Sequence, residues 1–147
     1  MSLLDSLNND LKTAMKAHDK ETLSTVRMLK AATTNEQIKV GRTLTSDEEV
    51  SVLSRELKQR KDSVDEFTAA DRTDLVPALE KEIEIVERYL PEQLSEDDVK
   101  SIVEETIRQV GATSKADFGK VMGAVMPKLK GQADGKIVNS VVKSLLN

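Results

Sequence analysis

Apolar positions along the chain recur at helical spacing. Leu4, Leu7, Leu11 and Ala14 form a seam with steps of three and four residues, behind a Ser2 that can cap the helix start. This first helix is expected to close near His18-Asp19. A looser stripe of Leu23, Val26, Leu29 and Ala32 predicts a second helix from about Asp19 to Lys39, broken at Gly41. Thr45 and Glu48 have capping-box spacing and open a third helix with the seam Val50, Leu53, Leu57, Arg60, Val64 and Phe67. Arg60 interrupts an otherwise apolar stripe. Thr73 can cap a fourth helix whose first turn holds Pro77, where a missing N–H costs little. Its seam is Val76, Leu79, Ile83, Val86 and Leu90, and Pro91 stops it.

Beyond Pro91 the elements shorten and their apolar faces widen. Ser95 caps a helix with Val99, Ile102, Val103, Ile107 and Val110, closed by Gly111. Ser114 caps a second with Phe118, Val121, Met122, Val125, Met126 and Leu129, closed by Gly131. Asp134 caps a third with Ile137, Val138, Val141, Val142, Leu145 and Leu146. No segment sustains period-two alternation or carries a hairpin turn pair, so no sheet is expected. The expected fold is all-α. A long-helix domain over residues 1–91, built as antiparallel hairpins with a thin core, precedes a compact three-helix bundle over residues 92–147. A bundle of about 55 residues is marginal by itself.

Composition narrows the function classes. With 33% charged and 38% hydrophobic residues the chain is rich in surface. Phe67, Phe118 and Tyr89 are its only aromatics. There is no cysteine, which excludes disulfides, thiolate metal sites and a thiol nucleophile. No signal-peptide pattern is visible at the N-terminus, and no apolar run approaches the roughly 18 residues of a membrane span. A cytosolic location is the expectation.

Little in the sequence offers catalysis. His18 is the sole histidine and reads as a helix C-terminal residue interacting with the dipole. Asp47-Glu48-Glu49 falls in a first helical turn, where the dipole stabilises anions, and the acidic run Glu80 to Glu87 alternates with Lys81 and Arg88 on a solvated face. Gly119-Lys120 is followed by Val121, and Ser114 occupies the place of a phosphate-loop glycine, so no such loop exists. Gly119 and Gly123 form a G-x-x-x-G, read as a close helix–helix packing site. No metal site and no cofactor are expected.

Charge is distributed unevenly. Net charge is −4, yet residues 115–147 hold six basic and two acidic residues. The six are Lys115, Lys120, Lys128, Lys130, Lys136 and Lys143, and Lys128, Lys130 and Lys136 bracket the loop between the last two helices. Lysines meeting phosphates release counterions. Without neighbouring arginines or stacking aromatics, such a surface would follow RNA shape rather than read bases. The competing reading is that these lysines only solubilise a small bundle. A second basic set comprises Arg27, Lys30, Lys58, Arg60, Lys61 and Arg72. Arg60 is either one half of a buried ion pair or one end of a functional groove.

These motifs resemble known families. Asp117-Phe118-Gly119-Lys120-Val121-Met122, Pro127-Lys128-Leu129-Lys130-Gly131 and Ala133-Asp134-Gly135-Lys136-Ile137-Val138 resemble the tail domain of the tRNA-dependent amidotransferase B subunit. Arg27-Met28-Leu29-Lys30-Ala31-Ala32, Lys58-Gln59-Arg60-Lys61-Asp62-Ser63 and Tyr89-Leu90-Pro91 resemble the stand-alone bacterial YqeY family. The resemblance implies a helical domain joined to a tail-like domain that helps hold tRNA. It makes Lys120, Lys128, Lys130 and Lys136 the carried-over candidates for tRNA contact, and Gly119, Gly131 and Gly135 packing and turn positions. Nothing here corresponds to the cradle domain with its metal site, nor to the amidase serine and lysines. The expectation is therefore a non-catalytic tRNA-binding accessory protein, partnered by amidotransferase or aminoacyl-tRNA synthetase components. The alternatives are an adaptor that binds protein without RNA, and a glutamine-dependent carbon–nitrogen ligase by family resemblance only. No membrane role is expected, and self-association stays open.

Overall fold

The computed structural model describes residues 1–146, and all its regular structure is helical. Seven α-helices occur among the described residues: α1 Leu3–Lys16, α2 Lys20–Val40, α3 Ser46–Ala69, α4 Val76–Glu87, α5 Glu96–Val110, α6 Phe118–Leu129 and α7 Gly135–Leu145. The chain divides into two compact units, Met1–Pro91 and Glu92–Asn147.

In the first unit, side-chain caps fix the helix starts. Ser2 and Asp5 form a reciprocal capping box on α1, and Thr45 and Glu48 do the same on α3. Asp19 caps α2, accepting the Thr22 N–H. His18 lies beyond the end of α1 in a left-handed turn with φ 54°, which folds α2 back beside α1. Gly41 ends α2 at φ 76°, the left-handed conformation that glycine adopts without penalty. The core gathers Leu3, Leu7, Val26, Leu29, Leu53, Leu57, Ile85, Val86 and Leu90. Ile85 lies off the seam read from α4, yet it is almost fully buried. That helix packs against both α2 and α3, so its apolar face must be wider than one stripe.

Glu48 has a second partner. The Arg42 guanidinium donates to its Oε1 at 2.7 Å, and the Thr45 N–H donates at 3.1 Å. These bonds, the arginine's first, pull the Glu48 carboxyl down to about 2. A carboxyl lowered in the folded state stabilises it above the unfolded value, and that contribution fades as pH falls through the folded one. Glu48→Gln is therefore expected to lower the melting temperature at neutral pH and to flatten the acid limb, the two curves converging as pH falls from the ordinary glutamate range to about 2. Melting temperature measured against pH for both proteins checks this.

The second unit is a three-helix bundle. Ser95 and Asp98 box the start of α5, and Gly111 ends it at φ 68°. Ser114 does not cap α6 directly: with Asp117 it closes a 3-10 turn, Lys115–Asp117, and α6 begins at Phe118. Asp134 caps α7 through the Lys136 N–H at 2.9 Å. The core is Val99, Val103, Val121, Val125, Leu129, Val138, Val141, Val142 and Leu146. The segment before α5 is tied to the α6–α7 connection by Leu94 N–H to the Gln132 carbonyl, 2.8 Å, and by Gln93 Nε2 to the Gly131 carbonyl, 2.6 Å.

Candidate nucleic-acid interface

The 3-10 turn Lys115–Asp117 and helices α6 and α7, with the turn between them, present the six C-terminal lysines. Lys143 on the outer side of α7 places its Nζ 5.8 Å from the centre of the Phe118 ring. That contact brings the end of α7 to the start of α6, alongside Lys115 and Lys120. Lys128 and Lys130 close α6, and Lys136 opens α7 across the connecting turn. Lys120 and Lys128 are separated by about 12 Å along the helix axis. All six are exposed.

Their charge is little neutralised. Among the described residues, Lys115, Lys120, Lys128, Lys130 and Lys143 have no carboxylate within salt-bridge distance, whereas Arg42, Arg55, Lys58, Arg60, Arg72, Lys81 and Arg88 in the first unit all do. Lys128 is held by neutral acceptors instead, the Thr106 hydroxyl at 3.1 Å and the Gln109 carbonyl oxygen at 2.7 Å, both from α5. Those bonds fix the ammonium without cancelling its charge. Asp117, the acidic residue nearest Lys115 and Lys120 in sequence, is bonded within its own turn. It accepts the Thr113 N–H at 2.9 Å and the Ser114 N–H, which hold its carboxyl below the usual range.

Three of the second basic set, Lys58, Arg60 and Arg72, are paired within their own unit. Arg60 is buried: it donates to Glu56 at 2.9 Å and to Glu82 at 3.3 Å, which settles the seam arginine as an ion pair between α3 and α4. Arg72 forks onto Asp74 with two 3.0 Å bonds, and Lys58 pairs with Asp62 at 2.8 Å. Arg27 is exposed, and Lys30 and Lys61 are half-buried.

The G-x-x-x-G reading is corrected. A Cβ added at Gly119 or at Gly123 would meet nothing within 4 Å, so among the described residues of this unit no helix packs closely there. Gly119, Lys120, Gly123, Met126 and Pro127 all lie on the exposed side of α6. No group of three or more potential metal ligands occurs among the described residues. A groove of about 340 Å³ among α1, α3 and α4 is lined by Leu3, Ser6, Glu49, Leu53, Arg88 and Tyr89. Two of its polar groups are already bonded: Glu49 accepts the Leu3 N–H at 2.7 Å, and the Tyr89 hydroxyl donates to Asp10, its phenol raised by burial first and by that carboxylate second. That leaves no converging catalytic set.

Fold and charge thus define an all-helical protein whose second unit, with eight basic and eight acidic residues, gathers six of its seven lysines between residues 115 and 143. The chain belongs to the YqeY-like protein family, which it matches over residues 4–146. Its C-terminal likeness to the amidotransferase tail is consistent with that membership. Relatives carry the name altered inheritance of mitochondria protein 41, mitochondrial. The protein of that name from Pyrenophora tritici-repentis is 28% identical over 148 residues, covering 98% of this chain and 81% of its own length. One from Saccharomyces cerevisiae is 30% identical over 148 residues, covering 93% and 80%. One from Lachancea thermotolerans is 41% identical over 93 residues, 60% of this chain and 50% of its own. These names overturn the expectation of a cytosolic location, since the relatives are mitochondrial proteins. A cysteine-free composition does not distinguish the two compartments.

Proposed function

We propose that this protein binds tRNA through its C-terminal unit and acts as an accessory factor, without catalysis of its own, beside amidotransferase or aminoacyl-tRNA synthetase components. The observation that carries the reading is the lysine set of α6 and α7, exposed and without carboxylate partners at Lys115, Lys120, Lys128, Lys130 and Lys143. Likeness to the tRNA-holding tail of the amidotransferase selects tRNA from among polyanions. The only aromatic of the unit, Phe118, is half-buried and covered by Lys143, so base stacking contributes little and phosphate contacts dominate.

Titration of labelled tRNA at several salt concentrations tests this. Affinity is expected to fall steeply with salt. The pair Lys128→Glu with Lys130→Glu is expected to weaken binding and reduce the slope of log K against log salt by about two. Unchanged tRNA mobility at micromolar wild-type protein in low salt would refute the reading. Circular dichroism of the double variant separates lost charge from lost fold, because Lys128 also bonds α5.

A further inference from the structure

Arg60 has one donor nitrogen that its partners serve poorly. Nη1 donates to the Glu56 carboxylate and carbonyl, and Nε donates to Glu82. Nη2 is aimed at a thioether instead, the Met28 sulfur of α2 at 3.7 Å. A thioether is a weak acceptor, whereas a guanidinium is a strong donor that keeps its charge at every working pH. The arginine side chain is only 9% exposed, so water does little to relieve the mismatch. Met28 differs in this respect. It is 41% exposed and open to small reagents from solvent.

We propose that Met28 is a site of oxidation by peroxides, and that its sulfoxide completes the bond the thioether leaves weak. A sulfur lone pair attacks one oxygen of hydrogen peroxide, and the O–O bond breaks. The transferred oxygen gives its proton to the departing one, which leaves as water, and sulfur keeps the S=O. Sulfur loses two electrons and the peroxide gains them. The new oxygen extends from a sulfur 3.7 Å from Nη2, so it comes within hydrogen-bond distance once the unbranched side chain turns it toward the guanidinium. Oxidation of a methionine ordinarily harms packing, because a polar group enters an apolar place. Here it enters beside a buried cation and ties α2 to α3 with a charge-assisted bond. Glu56 and Glu82 already hold Nη1 and Nε, so neither carboxylate competes for Nη2. The site lies in the first unit and does not rest on the tRNA-binding reading.

The experiment treats the full chain with hydrogen peroxide, follows each methionine by peptide mass spectrometry, and compares melting temperatures of the N-terminal unit. Met15 and Met126, at 51% and 36% exposure, are oxidised too, so the shift is read against Met28→Leu treated in the same way. Wild type is expected to carry the sulfoxide at Met28. Its melting temperature is expected to change on treatment by about 4 °C more in the stabilising direction than that of Met28→Leu. Met28→Gln needs no oxidant, because its amide carbon replaces the sulfur and carries an oxygen in the sulfoxide's place. Untreated, it is expected to melt about 4 °C above untreated Met28→Leu, since leucine and glutamine have similar helix propensity. A Met28 that stays reduced while Met15 is oxidised would overturn the proposal. So would a treatment shift in wild type no more stabilising than in Met28→Leu, or a Met28→Gln that melts no higher than Met28→Leu.

Discussion

Replacing Arg60 by methionine is expected to lower the melting temperature of the N-terminal unit by about 10–20 °C. Arg60 sits in an apolar seam with its side chain only 9% exposed, and its guanidinium is used from several sides. Nη1 donates to the Glu56 carboxylate and to the Glu56 carbonyl at 3.0 Å, Nε donates to Glu82, and Nη2 lies 3.7 Å from the Met28 sulfur. One residue thus links α3 to α4 and touches α2. Removing it leaves two half-buried carboxylates facing each other without a cation. Fully buried pairs broken in this way cost about 3–5 kcal/mol. Glu56 and Glu82 keep 19% and 25% side-chain exposure, so partial hydration reduces the figure to about 2–3 kcal/mol. Arg60→Lys is expected to recover only part of the loss, since one ammonium cannot reach both carboxylates with the fork of a guanidinium. Thermal melts of the two variants decide the matter. A shift within about 2 °C for Arg60→Met would show the pairs to be as weak as exposed ones.

Arg60 also shows where sequence reading stops. Its place in the seam is visible from spacing alone, and so is the conflict between charge and stripe. The resolution is not, because Glu82 is 22 residues away on another helix and nothing local says which face of α4 turns inward. Elements defined by neighbouring residues were legible: the Thr45–Glu48 box, the Ser2 and Ser95 caps, and the glycine stops at Gly41 and Gly111 all follow from contacts within one turn. Elements that depend on a third body were not. The G-x-x-x-G of α6 reads as a packing site because small residues permit close approach, but permission does not supply a neighbour. The lysines were legible as a charge run. What spacing could not give was that Lys128 is steadied by neutral groups from α5 and Lys143 by an aromatic ring, so that their charges stay available.

Leu129→Ala is expected to unfold the C-terminal unit and abolish tRNA binding with it. Leu129 is 1% exposed at the end of α6 and belongs to a core made almost wholly of valines. Truncating a leucine in such a place costs about 2–5 kcal/mol, the transfer loss plus the cavity it leaves. A three-helix unit of this size has roughly 3–5 kcal/mol to lose. The valine neighbours are short and stiff at χ1, so they relax poorly into the space. Amides of α5, α6 and α7 are expected to lose hydrogen-exchange protection, while those of α1 to α4, which have a core of their own, keep it. The same protein discriminates between two ways the lysines could act. If they bind tRNA as a folded surface, with Lys128 braced on Thr106 and Gln109 and Lys143 on Phe118, affinity disappears together with the fold. If they act as a loose run of charge, the unfolded segment keeps its six lysines and binds nearly as well. Arg60→Met supplies the counterpart, because it should weaken the other unit and leave tRNA affinity unchanged below its melting point. Retained binding by Leu129→Ala alongside lost protection in α5 to α7 would remove folded geometry from the account of the interface and leave only charge.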